Sequence, residues 1–200
     1  IKRDVEESDL KDYQTVYSKK EGSIASPTAG LHFSNEIIEK LKLKNKTDYL
    51  TLHVGIGTFK PIKEENIVDH NMHSEEIIIS KRNISNLKKS KNIVAVGTTS
   101  LRTLESLYFL GIKLLNNDVD INIEQYPYIK NYKTYNKNQI CNIILSYMNS
   151  KNLNSIRFRS SLFILPGYDF KFCNQLITNF HYPKSTLILF ISLSDIGFSF

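Results

Sequence analysis

The chain has 200 residues, of which 41% are apolar and 23% charged, with 11 Tyr, 11 Phe and no Trp. That composition supports a sizeable folded core and excludes a disordered chain, and no apolar run is long enough to cross a bilayer. The formal charge of +6, carried mainly by lysine, leaves two readings open: a solvated basic surface, or a patch that helps hold an acidic partner such as an RNA backbone.

Residues 1–20 are polar and charged and read as a linker leading into the core, with YQTVY at 13–17. Residues 22–33, GSIASPTAGLHF, are small and turn-rich, punctuated by Gly22, Pro27 and Gly30. Ser34 is placed to cap a helix over 35–43, without a full capping box because Ile37 stands three residues on. Ile37, Ile38 and Leu41 give that helix one buried face. YLTLHV at 49–54 predicts a strand, and GIGTF at 55–59 a turn. A loop over 62–76, a short strand at 77–79 and a lysine-rich surface helix over 82–91 follow. IVAV at 93–96 predicts a buried strand, GTTS at 97–100 a turn, and 101–110 a helix with Leu101, Leu104 and Tyr108 on one side. Strand, small-residue turn, helix is the α/β arrangement that places ligands at strand ends. Residues 113–138 have no clear periodicity. Beyond them the pattern predicts a helix over 139–149, a strand at 162–165 closed by PGY, a helix over 171–176 and an apolar strand over 186–192. The alternation favours an α/β fold with a mixed sheet and flanking helices.

Cys141 and Cys173 form no CxxC or Cys/His pattern, so both read as reduced core or helix residues of a cytoplasmic protein rather than zinc ligands. The five histidines, His32, His53, His70, His73 and His181, all fall in turn-like or strand-end segments. His70 and His73 lie in DHNMHSEE, where an imidazole can exchange a proton near neutral pH and Glu75 can orient it or act as base. Surface hydrogen bonding is the plainer alternative, and the spacing does not match HExxH. His53 at a strand end suits catalysis or packing equally. Gly55 and Gly57 permit a turn or a close approach to a ligand, but GIGTF is not a dinucleotide fingerprint.

GTTSLRTLES at 97–106 is the stronger local signal. Backbone N–H groups at a helix start receive carboxylate or phosphate, and Thr98, Thr99 and Ser100 add hydroxyls. Arg102 offers a planar donor set for such anions, and Glu105, three residues on, is placed to hold it. Simple capping with a surface ion pair is the alternative. SPTAGLHF suits a compact loop against a base or sugar, or a rigid turn. In TNFHYPKST, Asn179 and His181 suit polar ligand edges or buried backbone groups.

Taken in order, YQTVY (13–17), GSIASPTAGLHF (22–33), TLHVGIGTFKPI (51–62), DHNMHSE (69–75), AVGTTSLRTLES (95–106), LFILPGYDFK (162–171) and LITNFHYPKSTLI (176–188) closely resemble the S-adenosylmethionine:tRNA ribosyltransferase-isomerase family. The resemblance runs from about residue 13 to 192 in the family's own order. It implies an α/β main domain over 21–192, with a variable connection at 112–160 and a divergent or truncated tail at 193–200, LSDIGFSF, in place of an AFAG-like segment. It also implies that the family's smaller β-barrel domain is largely absent.

The implied reaction uses S-adenosylmethionine as a ribosyl donor. The acceptor is 7-aminomethyl-7-deazaguanine at the wobble position of tRNA, whose amine attacks the donor's 5′ carbon. Rearrangement gives epoxyqueuosine and releases adenine and methionine. On that resemblance His53, His70, His73 and Glu75 are the proton-transfer candidates, and Arg102, oriented by Glu105, holds the methionine carboxylate or an RNA phosphate. Thr28, Gly30, His32, Phe33, Gly55, Gly57, Thr58, Phe59, Gly97, Thr98, Thr99, Ser100, Asn179 and His181 surround the donor and the modified base. No metal is implied, and a cytoplasmic monomer is expected. The rival readings are a catalytically impaired, tRNA-binding remnant of the family, a conventional methyltransferase, whose Gly-rich loop the sequence lacks, and a structural α/β protein without ligand.

Overall fold

The computed structural model describes residues 14–18, 27–53, 69–179 and 197–198. Among the described residues, four α-helices accompany two small sheets. Helix α1 (Asn35–Lys44) starts at Ser34, whose hydroxyl accepts from the Ile37 amide at 3.3 Å. Strand β1 (Thr51–His53) pairs antiparallel with β2 (Glu75–Ser80), and β2 pairs antiparallel with β4 (Ser155–Ser160). Helix α2 (Lys81–Lys89) leaves β2 through a reciprocal cap: Ser80 Oγ accepts from Asn83 N, and Asn83 Oδ1 accepts from Ser80 N. In the second sheet β3 (Val94–Val96) and β5 (Gln175–Ile177) run parallel, with β6 (Gly197–Phe198) parallel beyond β5. The expected α/β class, with parallel and antiparallel pairing and flanking helices, is therefore observed, and the two pairing types are divided between the two sheets.

Helix α3 (Thr98–Leu115) is the centre of the molecule. It is buried nearly all round, its polar Arg102, Glu105 and Ser106 included, and Leu101, Leu107 and Leu110 are fully enclosed. Ile77 and Ile79 of β2, Ile156 and Phe158 of β4, Ala95 of β3 and Leu176 of β5 share one core with it. Helix α4 (Lys137–Ser150), capped by Asn136 and Gln139, adds Ile140, Cys141, Ile144 and Met148. Gly111 lets α3 and α4 approach closely, because a Cβ there would stand 2.7 Å from Ile140 Cγ2. Both cysteines are buried and unpaired with each other, and burial pushes the Cys141 thiol up to about 11.

Two predicted elements are replaced. LFIL at 162–165 is not a strand. Its backbone partners are mostly side chains and loop atoms: Leu162 N donates to Ser160 Oγ, Phe163 N to Gln125 O, and Phe163 O accepts from Tyr128 Oη. The neighbouring strand is β4, whose alternation buries Ile156, Phe158 and Ser160 while Arg157 and Arg159 face out. Nor is 171–176 a helix. The amides of Lys171, Phe172 and Cys173 are taken by the Glu105 carboxylate, and those of Asn174 and Gln175 go to Ile93 O instead of back to the preceding turn. The predicted strand over 186–192 lies outside the described residues. No helix among the described residues is long and apolar enough to cross a membrane.

Candidate active site

Strands β3 and β5 end side by side, Val96 opposite Ile177, and Gly97 N donates to Ile177 O at 2.8 Å. From that edge the chain turns into α3 through Gly97, whose φ of 90° is natural only to glycine. Among the described residues no side chain caps this helix start. The first-turn amides of Thr98, Thr99 and Ser100 have no partner within the helix by construction, and the helix dipole adds partial positive charge there. Thr178 and Asn179 continue from β5 at the same edge, with Asn179 half-buried.

The short 3₁₀ helix Thr28–His32 abuts this edge: a Cβ on Gly97 would lie 4.0 Å from Ala29 Cβ. Thr28 and Phe33 are partly exposed and His32 is exposed. Gly30 differs from its expected role. Its bare face is covered by the protein itself, since a Cβ there would meet Tyr17 Oη at 1.9 Å and Thr15 Cγ2 at 2.8 Å. It is the packing position that ties YQTVY to SPTAGLHF.

One turn into α3, roughly 6 Å along its axis, a cluster of charged groups joins the helix to β2. Glu75 stands on the inward face of β2 with Ile77 and Ile79 and is 2% exposed. Its Oε1 lies 3.0 Å from His73 Nε2 and 3.5 Å from Arg102 Nη1. Arg102 is 4% exposed. Its Nε donates to Leu162 O at 2.9 Å and its Nη2 to His73 O at 3.4 Å. Burial pushes the Glu75 carboxyl up, but Arg102 and the His73 hydrogen bond outweigh it and hold the group below the usual carboxylate range. Burial pulls the Arg102 guanidinium down and Glu75 opposes it; a guanidinium keeps its charge regardless.

His73 is the accessible member of the three, with 19% of its side chain exposed. Its 3.0 Å contact with an ionised carboxylate assigns the ring proton to Nε2; the approach of Arg102 Nη1, itself a donor, opposes that tautomer but is longer, at 3.5 Å. That tautomer makes Nδ1 the basic nitrogen. The segment carrying His73 is held by Gln125, whose Nε2 donates to His70 O at 2.5 Å and whose Oε1 accepts from Met72 N at 2.9 Å. His70 is buried with its ring edge on Phe163, centroids 5.8 Å apart.

Glu105 does not orient Arg102. Arg102 reaches toward β2, while Glu105 accepts from Tyr168 Oη and Lys171 N at one oxygen and from Phe172 N and Cys173 N at the other, at 2.8–3.0 Å. Burial pushes its carboxyl up against the pull of these donors. The partner of Arg102 is Glu75. His53 closes β1 opposite Glu76, and its side chain lies outside the described residues. Gly55, Gly57, Thr58, Phe59 and His181 also lie outside them. Gln125, Ser160 and Tyr168 were not singled out by sequence. Each acts through a contact more than fifty residues away, which no local pattern signals. Among the described residues no three His, Cys, Asp or Glu side chains gather as a metal-ligand set.

Fold and site together give an α/β unit with a helix start at parallel strand ends, a geometry suited to anions, and a carboxylate-held histidine beside it. Residues 1–194 match the family model described as queuosine biosynthesis protein, and the chain belongs to that family. It is 42% identical to the S-adenosylmethionine:tRNA ribosyltransferase-isomerase of Finegoldia magna over 92% of this chain and 44% of that protein. It is 41% identical to the enzyme of the same name from a Sulfurihydrogenibium species, over 96% of this chain and 46% of that one. A crystal structure of S-adenosylmethionine tRNA ribosyltransferase from Thermotoga maritima is 26% identical, with a TM-score of 0.46, over 84% of this chain and 41% of that one. The chain thus spans less than half the length of these relatives.

Proposed function

We propose that this chain carries the S-adenosylmethionine-dependent ribosyl transfer and isomerisation of queuosine synthesis. The acceptor is 7-aminomethyl-7-deazaguanine at the tRNA wobble position, and the products are epoxyqueuosine, adenine and methionine. The reading is supported by family membership and by the names of relatives about 40% identical over nearly all of this chain. The single observation that carries the chemistry is the His73–Glu75–Arg102 cluster, one turn below the α3 start.

In this account the Thr98–Ser100 amides and hydroxyls hold the anionic end of the methionine moiety. Asn179 reads a polar edge of the nucleoside, with Thr28, His32 and Phe33 alongside. Gly55, Gly57, Thr58, Phe59 and His181 complete that surround. His73 takes the proton through Nδ1: the reaction needs one removed from the carbon beside the sulfonium and one from the attacking amine, and the imidazole accepts one, passes it to the departing adenine and is free to accept the other. Glu75 fixes the tautomer and stabilises the imidazolium as it forms. Arg102 keeps Glu75 ionised and acts through it, because its own donors are engaged within the protein. His53 is the second proton-transfer candidate, whereas the buried His70 has a packing role. A cytoplasmic location is part of this reading, and tRNA as the substrate supports it.

The test is mass spectrometry of the wobble nucleoside and of the small molecules after incubation with S-adenosylmethionine and tRNA bearing 7-aminomethyl-7-deazaguanine. Epoxyqueuosine with adenine and methionine is expected. His73→Gln is expected to lower kcat by about 10²–10⁴, the range typical of a lost general base, with S-adenosylmethionine affinity retained. Unchanged kcat in that variant removes His73 from the role.

A further inference from the structure

About six residues further along α3 from Arg102, roughly 9 Å along the axis, lies a half-open cleft of about 280 Å³ with which the chemistry above makes no contact. Half-buried Tyr128 and Tyr132 line it together with the buried Tyr108 and Tyr168, and with Lys130, Asp169 and Lys171. Three of these rings are fixed by their hydroxyls. Tyr128 Oη donates to Phe163 O at 2.7 Å, Tyr168 Oη donates to Glu105 at 3.0 Å, and Tyr108 Oη accepts from Tyr135 N at 3.1 Å. Tyr128 and Tyr168 meet edge to face, centroids 5.1 Å apart, and Lys171 Nζ stands 5.6 Å from the centre of the Tyr108 ring. Aromatic surface locked in this way loses little entropy when a flat ligand stacks on it.

The strap over the cleft is 126–137, YPYIKNYKTYNK, which interleaves four tyrosines with three lysines and contains no acidic residue. Carboxylates stand beside the lysines of the cleft: Glu124 pairs with Lys130 and Lys113, and Asp169, itself part of the lining, pairs with Lys171. Lys133 is exposed between two cleft-lining positions, with Nζ 5.8 Å from the Tyr135 ring. Aromatic faces beside a strap that carries three lysines and no carboxylate match an unpaired base attached to phosphates, the combination found in single-strand grooves. The volume falls just below the range of about 300–1,000 Å³ of drug-sized sites, which suits a single nucleotide unit.

We propose that this cleft receives one unpaired nucleotide of the RNA substrate, away from the reacting base, stacked on Tyr128 and Tyr132 with Lys130 and Lys133 against the adjoining phosphates. The proposal rests on the tRNA reading above and adds a second point of contact to it. A proline-rich peptide is the other ligand an aromatic groove can take, but such a segment has no use for the lysines.

The test is fluorescence anisotropy of the 200-residue chain with a labelled hairpin RNA carrying an unpaired loop, beside a blunt RNA duplex, over a range of salt. S-adenosylmethionine binding is measured in parallel to report folding. Tighter binding of the hairpin than of the duplex is expected. Tyr132→Ala is expected to weaken hairpin binding about tenfold, as for one lost stacked base, and Tyr132→Phe to restore it. Lys130→Ala with Lys133→Ala, both exposed positions, is expected to reduce the log–log salt slope by about 0.7 per lysine. If the wild-type chain binds the hairpin and all three variants match it in affinity and slope, the cleft proposal is overturned while the tRNA reading stands. If the wild-type chain binds no RNA, both fall. A proline-rich peptide that displaces the RNA from wild type but does not bind Tyr132→Ala also overturns the proposal, by giving the cleft to peptide.

Discussion

Glu75 occupies a position on β2 where alternation calls for an apolar side chain, between the core and a histidine. An ionised group there is tolerated because Arg102 and His73 meet it. Glu75→Gln leaves a buried guanidinium without its counter-charge and is expected to destabilise the fold by about 3–5 kcal/mol at neutral pH. Because Arg102 and His73 depress the folded pKa despite burial, the stabilisation is fully present above the ordinary glutamate range near about 4.3. It is lost as pH falls through the lower folded value. Urea unfolding of wild type and variant at neutral and acid pH checks this: the gap closes on acidification. Glu105 tilts the other way. Burial raises its pKa, so its contribution is present below the ordinary range and lost as pH rises through the folded value. Its four donors remain decisive for geometry, and Glu105→Gln turns one acceptor into a donor facing them. An expected loss of about 2 kcal/mol or more, read by thermal unfolding, should accompany reduced protection from hydrogen exchange at Lys171, Phe172 and Cys173. His73, Glu75 and Arg102 were legible as residues from the sequence. Their pairing was misread because the three-residue spacing of Arg102 and Glu105 is a local rule, whereas each side chain reaches a different distant segment.

Helix α3 and its approach strand were the most legible elements, because IVAV, GTTS and a long apolar helix follow one another without interruption. The structure extends that helix in both directions, to Thr98–Leu115. LFIL misled for a physical reason: a fully buried apolar run looks the same whether its backbone is paired to a strand or to side chains, and here Ser160, Gln125 and Tyr128 supply the partners. The alternation in SIRFRS was the available signal for β4, with Ile156 and Phe158 inward. At the helix start, Gly97 combines positive φ with the hydrogen bond to Ile177 O. Gly97→Ala is expected to cost about 1–3 kcal/mol of backbone strain and, by shifting the first-turn amides, to weaken S-adenosylmethionine binding. Calorimetric titration alongside thermal unfolding checks both; unchanged affinity in a destabilised variant would detach the helix start from the donor site.

At the scale of the whole molecule, one core spans both sheets and all of α3, so the strand ends, the helix start and the Glu75 cluster are fixed relative to one another. The α/β class was legible from strand–turn–helix order. The division into an antiparallel and a parallel sheet was not, because strand pairing is set by contacts across long stretches of chain. The net charge of +6 gained meaning only where lysines were seen beside a tyrosine cleft. The central claim is that the sulfonium donor gives up its ribosyl carbons and not its methyl group. It is tested most directly with S-adenosylmethionine labelled separately in the ribose and in the methyl group, in the presence of tRNA carrying the aminomethyl base. The account predicts ribose label in the tRNA, methyl label only in released methionine, and stoichiometric adenine. Methyl label in the tRNA with S-adenosylhomocysteine as co-product would contradict it.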